Sequence, residues 1–382
     1  MTVIVDLCYN PLMKITLSQK ELSLAGKALS RILSKRPHLP VLAGIQLKTL
    51  ENDLLELCST DLTAGLKIQI PAKIIKPGET IVNGKIFLET INFFDHDETE
   101  IELEEKELLL KNGSDRVFIP LINQEFPSFS LSSENKQETG LEFWDSIVKK
   151  VSFAASTDQS RPALTGILLR GENDLLQAVC TDGFRLVVLE QTLPYKTFHQ
   201  KNLIVSAKAI TDLVAFLQTF SADKIFFSHD EVNEQICFFN NQFSYFTKLI
   251  NSNYPPFEKI IPLEFSTNIS LDRQDFIKNL NKASVFSRFS NNVVKLSIKD
   301  DNLNFLANSL GDGTFKSEEK LINKTGEDLE IAFNIRYLLD FLTLATSDTI
   351  TIGLNGHDHP VLIRDEDNSS WQYVAMPFKP KG

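Results

Sequence analysis

Glu51-Asn52-Asp53-Leu54-Leu55 returns 121 residues later as Glu172-Asn173-Asp174-Leu175-Leu176, and Thr60-Asp61 returns as Thr181-Asp182 at the same offset. Two separate matches with one offset mark an internal repeat, and a repeat decides the fold before any single motif does. Working outward, Ile122-Asn123, Phe126-Pro127 and Phe129 match Ile250-Asn251, Tyr254-Pro255 and Phe257 at an offset of 128. A fainter third copy keeps the order. Asp301-Asn302-Leu303 and then Asn308-Ser309 stand for the acidic turn, strand and Thr-Asp corner, and Tyr373 to Phe378 falls where the earlier copies have their aromatic-Pro segment. Three units of about 125 residues account for the 382-residue chain, a length at which two or three domains are expected.

The borders are expected in the Ser-rich stretch Ser128 to Thr139 and near Pro262, where Pro and charged residues interrupt the apolar pattern. The expected domains are 1–135, 136–262 and 263–382, with residues 1–12 a possible extension before a second methionine, Met13. Each unit opens on a strand (Met13 to Leu17, Gly140 to Phe143, Thr267 to Leu271) that leads into an amphipathic helix over Gln19 to Ser34, Trp144 to Ala155 or Arg273 to Ser287. In the first helix Leu22, Leu24, Ala25, Leu29, Ile32 and Leu33 follow the stripe of a helix packed on one side. Gly44 to Leu50, Leu54 to Cys58, Gly166 to Arg170 and Leu175 to Val179 read as short strands between Asn-Asp turns. Second helices are expected at Lys85 to Phe94, Lys208 to Phe220 and Ile335 to Ala345. Strand, helix and several antiparallel strands, played twice per unit, give an α+β class with helices packed on antiparallel sheets.

The composition, 42% hydrophobic and 23% charged, is that of a globular chain. Cys8, Cys58, Cys180 and Cys237 are widely spaced and form no C-x-x-C pair, so reduced thiols and a cytoplasmic chain are expected. Met1 to Pro11 has no basic region, carries Asp6 and is too short for a signal or a membrane span, so no membrane partner is expected. Gly311 to Lys316 lacks the spacing of a phosphate-binding loop. His357 and His359 sit in a turn-rich run without a third ligand nearby, so no metal, no cofactor and no catalytic residue are assigned.

The net charge of −11 argues against nucleic acid on a first reading, but it is unevenly spread. Asp95 to Glu107 holds eight acidic residues and one lysine, whereas Gln19 to Arg36 holds Lys20, Lys27, Arg31, Lys35 and Arg36 against Glu21 alone. Lys35-Arg36, Arg161 and Arg288 each follow the first helix of their unit, and Lys208 opens the second helix of the middle unit. A solvated surface explains any one of them; their shared position in the repeat points to a common basic face.

Several segments together resemble the bacterial DNA polymerase III beta subunits, the beta sliding clamps. They are Arg36-Pro37-His38-Leu39-Pro40-Val41-Leu42, Arg161-Pro162-Ala163-Leu164-Thr165-Gly166, Thr181-Asp182-Gly183-Phe184-Arg185-Leu186, the Phe126-Pro127 and Tyr254-Pro255 pairs, and Tyr373-Val374-Ala375-Met376-Pro377-Phe378. The resemblance runs from Met13 over nearly the whole chain. It implies a DNA clamp fold of three similar domains, closed as a head-to-tail homodimer into a six-domain ring around duplex DNA. The implied function is non-enzymatic: a processivity factor that tethers the DNA polymerase III catalytic subunit and also meets the clamp loader and repair proteins carrying clamp-binding motifs.

The resemblance implies DNA contact at Arg36, Arg161 and Lys208, joined by Lys35 and Arg288 on charge and position. It implies a partner-peptide cleft formed by Leu164, Thr181, Gly183, Phe184, Arg185, Leu186, Pro255, Lys259, Ile260, Pro360, Val374, Met376, Pro377 and Phe378, although Leu164, Leu186 and Ile260 also fit plain core. It implies a dimer contact between Val117, Phe118 and Ile119 and the helix end at Val285 and Phe286, residues that read equally as core. Phe184 stands where the family often has His or Tyr, and Phe378-Lys379 where it ends in Met-Arg, which bears on motif preference. Two rivals remain: an enzyme of DNA or nucleotide metabolism, and a monomeric repeat scaffold that binds peptides only.

Overall fold

The computed structural model describes residues 12–34, 37–132, 134–172, 175–192, 201–288, 290–309 and 313–379. One order of elements recurs three times. The first repeat runs β1 (Met13–Ser18), α1 (Gln19–Ile32), β2 (Gly44–Leu50), β3 (Leu54–Thr60), β4 (Ala64–Lys76), β5 (Glu79–Asn83), α2 (Gly84–Phe93), β6 (Glu98–Leu103), β7 (Glu107–Asn112) and β8 (Asp115–Pro120). The second runs β9 (Gln137–Gly140), α3 (Leu141–Lys150), β10 (Gly166–Glu172), β11 (Leu175–Thr181), β12 (Arg185–Thr192), β13 (Asn202–Ser206), α4 (Ala207–Thr219), β14 (Lys224–Asp230), β15 (Gln235–Phe239) and β16 (Phe243–Lys248). The third runs β17 (Thr267–Asp272), α5 (Arg273–Ser287), β18 (Val293–Lys299), β19 (Asn302–Ser309), β20 (Gly313–Lys320), a short extra β21 (Asn323–Gly326), β22 (Leu329–Asn334), α6 (Ile335–Leu342), β23 (Thr349–Leu354), β24 (Val361–Asp365) and β25 (Trp371–Ala375).

Local chemistry explains the recurrence. In the turn between β2 and β3, Asn52 and Asp53 adopt positive φ of 61° and 55°, a conformation that short polar side chains tolerate. Asp300 does the same at 51° in the third repeat. Asn83, Asp272 and Asn334 cap α2, α5 and α6 by accepting a backbone N–H in the first turn. Leu22, Ala25, Leu29 and Ile32 form the buried face of α1, as their spacing predicts. The second repeat departs from expectation at its start. The strand is Gln137–Gly140 and Leu141 to Phe143 are already helical, because Trp144 and Ile147 are the fully buried positions of a helix that begins earlier than its apolar pattern announces.

By its internal contacts the chain forms two compact units, Met1–Phe143 with Thr211–Leu249, and Trp144–Ile210 with Ile250–Gly382. The division falls through the middle repeat because strands pair across the repeat borders. In the first unit β4 pairs with β16, fusing both repeats into a 12-stranded sheet ordered β8-β7-β6-β1-β4-β16-β15-β14-β9, with β2, β3 and β5 attached through β3. In the second unit β12 pairs with β25 in a nine-stranded sheet ordered β13-β10-β11-β12-β25-β24-β23-β17-β21, beside a four-stranded sheet ordered β20-β19-β18-β22. All these pairs are antiparallel.

Among the described cysteines, Cys58, Cys180 and Cys237 are free and buried, and burial pushes the Cys58 and Cys237 thiols up to about 12; Cys8 lies outside the described residues. No helix among the described residues is long and apolar enough to cross a membrane.

The Thr-Asp corner is built twice with the same bonds. Thr60 Oγ1 donates to Ala64 O and accepts from Leu62 N, while Asp61 Oδ1 accepts from Thr63 N and Ala64 N. Thr181 and Asp182 make the four corresponding bonds to Arg185 O, Gly183 N, Phe184 N and Arg185 N. The turn needs a left-handed residue at its second position, and there Gly183 (φ 94°) is replaced in the first repeat by Leu62 (φ 72°). A leucine in that conformation costs roughly 1–2 kcal/mol. Leu62→Gly is therefore expected to raise stability by about 0.5–1 kcal/mol after the greater chain entropy of glycine is offset. The check is the denaturant midpoint at unchanged slope, and a lowered midpoint would refute the strain argument. A second prediction concerns Glu319 on β20, whose carboxyl is buried against α5 and accepts from Asn279 Nδ2 at 3.0 Å, with Oε1 lacking a partner. Burial, opposed by the Asn279 bond and reinforced by Asp275 and Asp272, raises its pKa from 4.5 to about 7. The folded state thus holds a proton that the unfolded state has lost between those values, so stability falls as pH rises from 4.5 through 7, by up to about 3 kcal/mol. Glu319→Gln is expected to flatten that fall in melting curves taken at pH 5 and pH 8.

Candidate functional site

The Thr181–Arg185 corner opens onto a cavity of about 320 Å³ in the second unit, lined by Thr181, Gly183, Arg185, Leu186, Lys259, Ile260, Pro360, Val374 and Met376. The β12–β25 pair brings these residues together by setting Leu186 opposite Val374 and Arg185 opposite Ala375. Beneath it lies an apolar cluster that includes Leu186, Val188, Val179, Phe257, Leu362 and Val374, with Ile260 packed against it. Met376 N donates to Phe184 O at 2.8 Å and Phe378 N to Ala332 O at 2.7 Å, so the terminal segment is fixed as one wall.

Arg185 provides the polar wall and is held by three hydrogen bonds. Nε donates to Asp182 Oδ2 at 3.0 Å, Nη1 to the Asp340 carboxylate, and Nη2 to Phe153 O at 2.6 Å. Its guanidinium carbon lies 5.4 Å from the Phe153 ring centroid and 4.8 Å from that of Tyr337. Burial works against the charge, but the hydrogen bond to Asp340 and the nearby carboxylates outweigh it and hold the pKa above the ordinary arginine value. Phe184, 57% exposed, lies over Tyr337 at 6.4 Å with its ring 21° from parallel.

The first repeat shows why an equivalent corner need not leave a cavity. There β4 and β16 set Gly65 opposite Phe246 where the second unit has Leu186 opposite Val374. A Cβ on Gly65 would meet Phe246 Cε1 at 2.3 Å and Phe129 Cζ at 3.0 Å, so two aromatic rings fill the space over the glycine.

Nine of the residues expected at a cleft thus surround one cavity. The others are placed differently. Leu164 is 7% exposed and stays beneath the 3₁₀ turn Pro162–Thr165 as core. Pro255 lines a neighbouring cavity of about 340 Å³ with Arg170, Tyr254 and Phe257. Phe184, Pro377 and Phe378 flank the cavity without lining it.

Of the basic positions, Lys35 and Arg36 lie outside the described residues. Lys208 is exposed in the first turn of α4, and Arg288 is exposed at the end of α5. Arg161 is ion-paired with Asp158 at 3.2 Å, and its Nη1 is 3.2 Å from where a Cβ on Gly183 would stand, which puts it at the cavity rim. Lys20 and Lys27 on α1, Lys85 on α2, Lys149 on α3, and Lys278 and Lys282 on α5 are exposed as well. Lys20 and Lys27 belong to the basic run Gln19 to Arg36, and no motif singles out the other four.

β8 and β20 are the end strands of their sheets. On β8, Phe118 is 50% exposed and Val117 half-buried, but Ile119 is fully buried opposite Leu108 and is core, because alternation along the strand turns it inward. At the end of α5, Val285 is 55% exposed and Phe286 stacks on Phe315 of β20 at 6.0 Å. His359 Nδ1 is 2.9 Å from Asp358, and among the described residues no group of three or more His, Cys, Asp or Glu is placed to hold a metal ion.

Repeated α+β units with strands shared across their borders define the fold of the DNA sliding clamps. A DNA polymerase III beta subunit from Thermotoga maritima superposes with a TM-score of 0.88 at 25% identity, over 97% of this chain and 100% of that one. The Bacillus subtilis sliding clamp gives 0.87 at 22% identity, over 97% and 100%. Among curated relatives, the beta sliding clamp of Staphylococcus epidermidis is 24% identical over 362 residues, 91% of this chain and 94% of that protein. That of Chlamydia muridarum is 25% identical over 380 residues, 96% and 99%. Family models for the N-terminal, central and C-terminal domains of the DNA polymerase III beta subunit match residues 13–130, 142–256 and 258–379. The chain belongs to the DNA polymerase III beta subunit family.

Proposed function

We propose that this chain, as a DNA sliding clamp, forms three domains over 1–135, 136–262 and 263–382 and closes with a second copy into a head-to-tail ring of six domains around duplex DNA. The observation that carries the ring is the pair of unlike sheet ends. β8 offers Phe118 and Val117, and β20 lies beside Val285 and Phe286. Two different surfaces that meet make a heterologous contact, which closes only if the rotation allows it, and two three-domain chains suffice for closure.

Within such a ring, Lys208 and Arg288, with Lys35, Arg36 and the further helix lysines, meet phosphate oxygens, and Arg161 does so from the cavity rim. Contacts of this kind carry no base information and weaken with salt, so the ring moves along the duplex. Enclosure supplies retention that the contacts do not. The acidic run Asp95 to Glu107 discourages DNA elsewhere.

The cavity at the β12–β25 junction receives a short apolar peptide segment from the DNA polymerase III catalytic subunit, the clamp loader or repair proteins. Its size suits one or two side-chain anchors, and Met376 adapts to different ones. The clamp contributes processivity without a catalytic site of its own, needs no cofactor, and works in the cytoplasm.

The test compares clamp loaded on nicked circular DNA with clamp on the same DNA linearised. Retention on the circle and escape from the free ends is the expected result; equal loss from both forms would sink encirclement. Light scattering should give the mass of two chains, and Phe118→Asp should reduce it to one. Deletion from Met376 onward should leave that dimer intact and abolish polymerase stimulation.

A further inference from the structure

We propose that the first repeat carries a separate ligand site, a cavity beneath segment 121–129 that takes a small zwitterion, a free amino acid or short peptide with an apolar side chain. The cavity measures about 800 Å³ and is lined by residues of the first unit alone. Its floor is one face of β5, β2, β3 and β4, and the second repeat shows the same floor built as core. There Ile204, Leu168, Val179 and Val188 stand side by side across β13, β10, β11 and β12, in an apolar cluster that packs against Tyr254 and includes Phe257. In the first repeat that row reads Ile81, Gln46, Cys58 and Lys67, under Phe126 and Phe129 in the places of Tyr254 and Phe257. Leucine has given way to glutamine and valine to lysine, and the corresponding cavity of the second repeat is less than half as large, about 340 Å³. Polar groups put where a homologous unit has core cost stability, and departures of that kind concentrate at functional sites.

The charges of the floor define the ligand. In the second repeat the next row is closed on itself: Arg170 Nε donates to Gln177 at 3.0 Å, Arg170 Nη1 to the Glu258 carboxylate, and Gln177 Nε2 to Glu190 at 2.8 Å. In the first repeat Lys48 pairs with Glu79 at 2.9 Å, and Gln46 Nε2 donates to the same carboxylate at 2.6 Å. Two half-buried charges that line the cavity are left over. Glu56 accepts from the neutral Gln69 amide at 3.1 Å, and Lys67 Nζ lies 4.8 Å from the Phe129 ring centroid; among the described residues neither forms an ion pair. Cys58 faces Lys67 and Glu56 faces Gln69, so the two charges are diagonal neighbours, positions about 7–8 Å apart. A zwitterion of one to three residues bridges that gap at about 3.3–3.6 Å per residue. A lone anion is repelled by Glu56 and a lone cation by Lys67, so the ligand that suits both carries both charges. Ile81 and Phe126, clustered with Cys58, supply the apolar end for its side chain.

The experiment is calorimetric titration of the full chain with leucine, leucyl-leucine and leucyl-leucyl-leucine, each also as its N-acetyl and its C-amide form. Saturable binding of a zwitterion at one site is expected, weakened about tenfold or more by blocking either end. The length that binds most tightly tells a free amino acid from a peptide. Lys67→Gln should weaken the zwitterion as much as amidation does and leave the amide form unmoved; Glu56→Gln, which installs the residue of the second repeat, should do the same with respect to acetylation. The comparison of blocked and free ligands on wild type holds even where a variant fails to fold. Deletion from Met376 onward should leave this binding intact, and its loss there would place the ligand in the β12–β25 cleft and overturn the proposal. Absence of saturable binding below about 10 mM for all three zwitterions, equal binding of the blocked forms, or affinities unmoved in both folded variants overturns it as well.

Discussion

The antiparallel ladder that joins one repeat to the next governs the rest of this molecule. Neither border is a flexible linker. β4 with β16, and β12 with β25, carry backbone hydrogen bonds across the borders, so the sheets run on from repeat to repeat. Such a ladder satisfies strand edges that would otherwise be exposed, and it fixes register residue by residue. The compact units cut through the middle repeat for this reason: its two halves have each joined a neighbour.

The same ladder explains how one chain uses a repeated corner for two ends. The Thr-Asp hydrogen bonds are identical at Thr60 and Thr181, and only the residues around them differ. Gly65, Phe129 and Phe246 close the first corner with aromatic packing. At the second corner Val374 stands in place of the Phe246 ring and Leu186 in place of Gly65, and a cavity opens there. The two corners share a backbone, and the side chains around it differ where one carries a cavity.

Much of this was legible in the sequence because it is local. The 121-residue offset identified the repeat, Arg273 to Ser287 is helical over its expected span, and Gly44 to Leu50 is a strand over its own. The start of α3 was misplaced because Gly140 to Phe143 looks extended until Trp144 is known to be core. The cavity itself was beyond local pattern. Its walls come from residues near 181–186, 259–260 and 374–376, and only the resemblance to a family brought them together in advance. Side-chain direction was beyond it too, so Ile119 and Leu164 turned out to be core while Phe118 and Phe184 lie outside. Asp340 gave no sign at all, because its meaning depends on Arg185, which lies 155 positions away in the chain.

The border ladders also set a schedule for synthesis. Ala64 pairs with Thr247, and Arg185 with Ala375, separations of 183 and 190 residues. At roughly 5–20 residues per second, β4 has emerged from the ribosome on the order of ten to forty seconds before its partner exists. Throughout that interval it is the edge of a nascent sheet, open to pairing with another copy on the same polysome. Its sequence is armed for the wait: Lys67 interrupts the apolar run within Ala64 to Ile68, the stretch that β16 later joins. That charge guards the edge while the protein is unfinished.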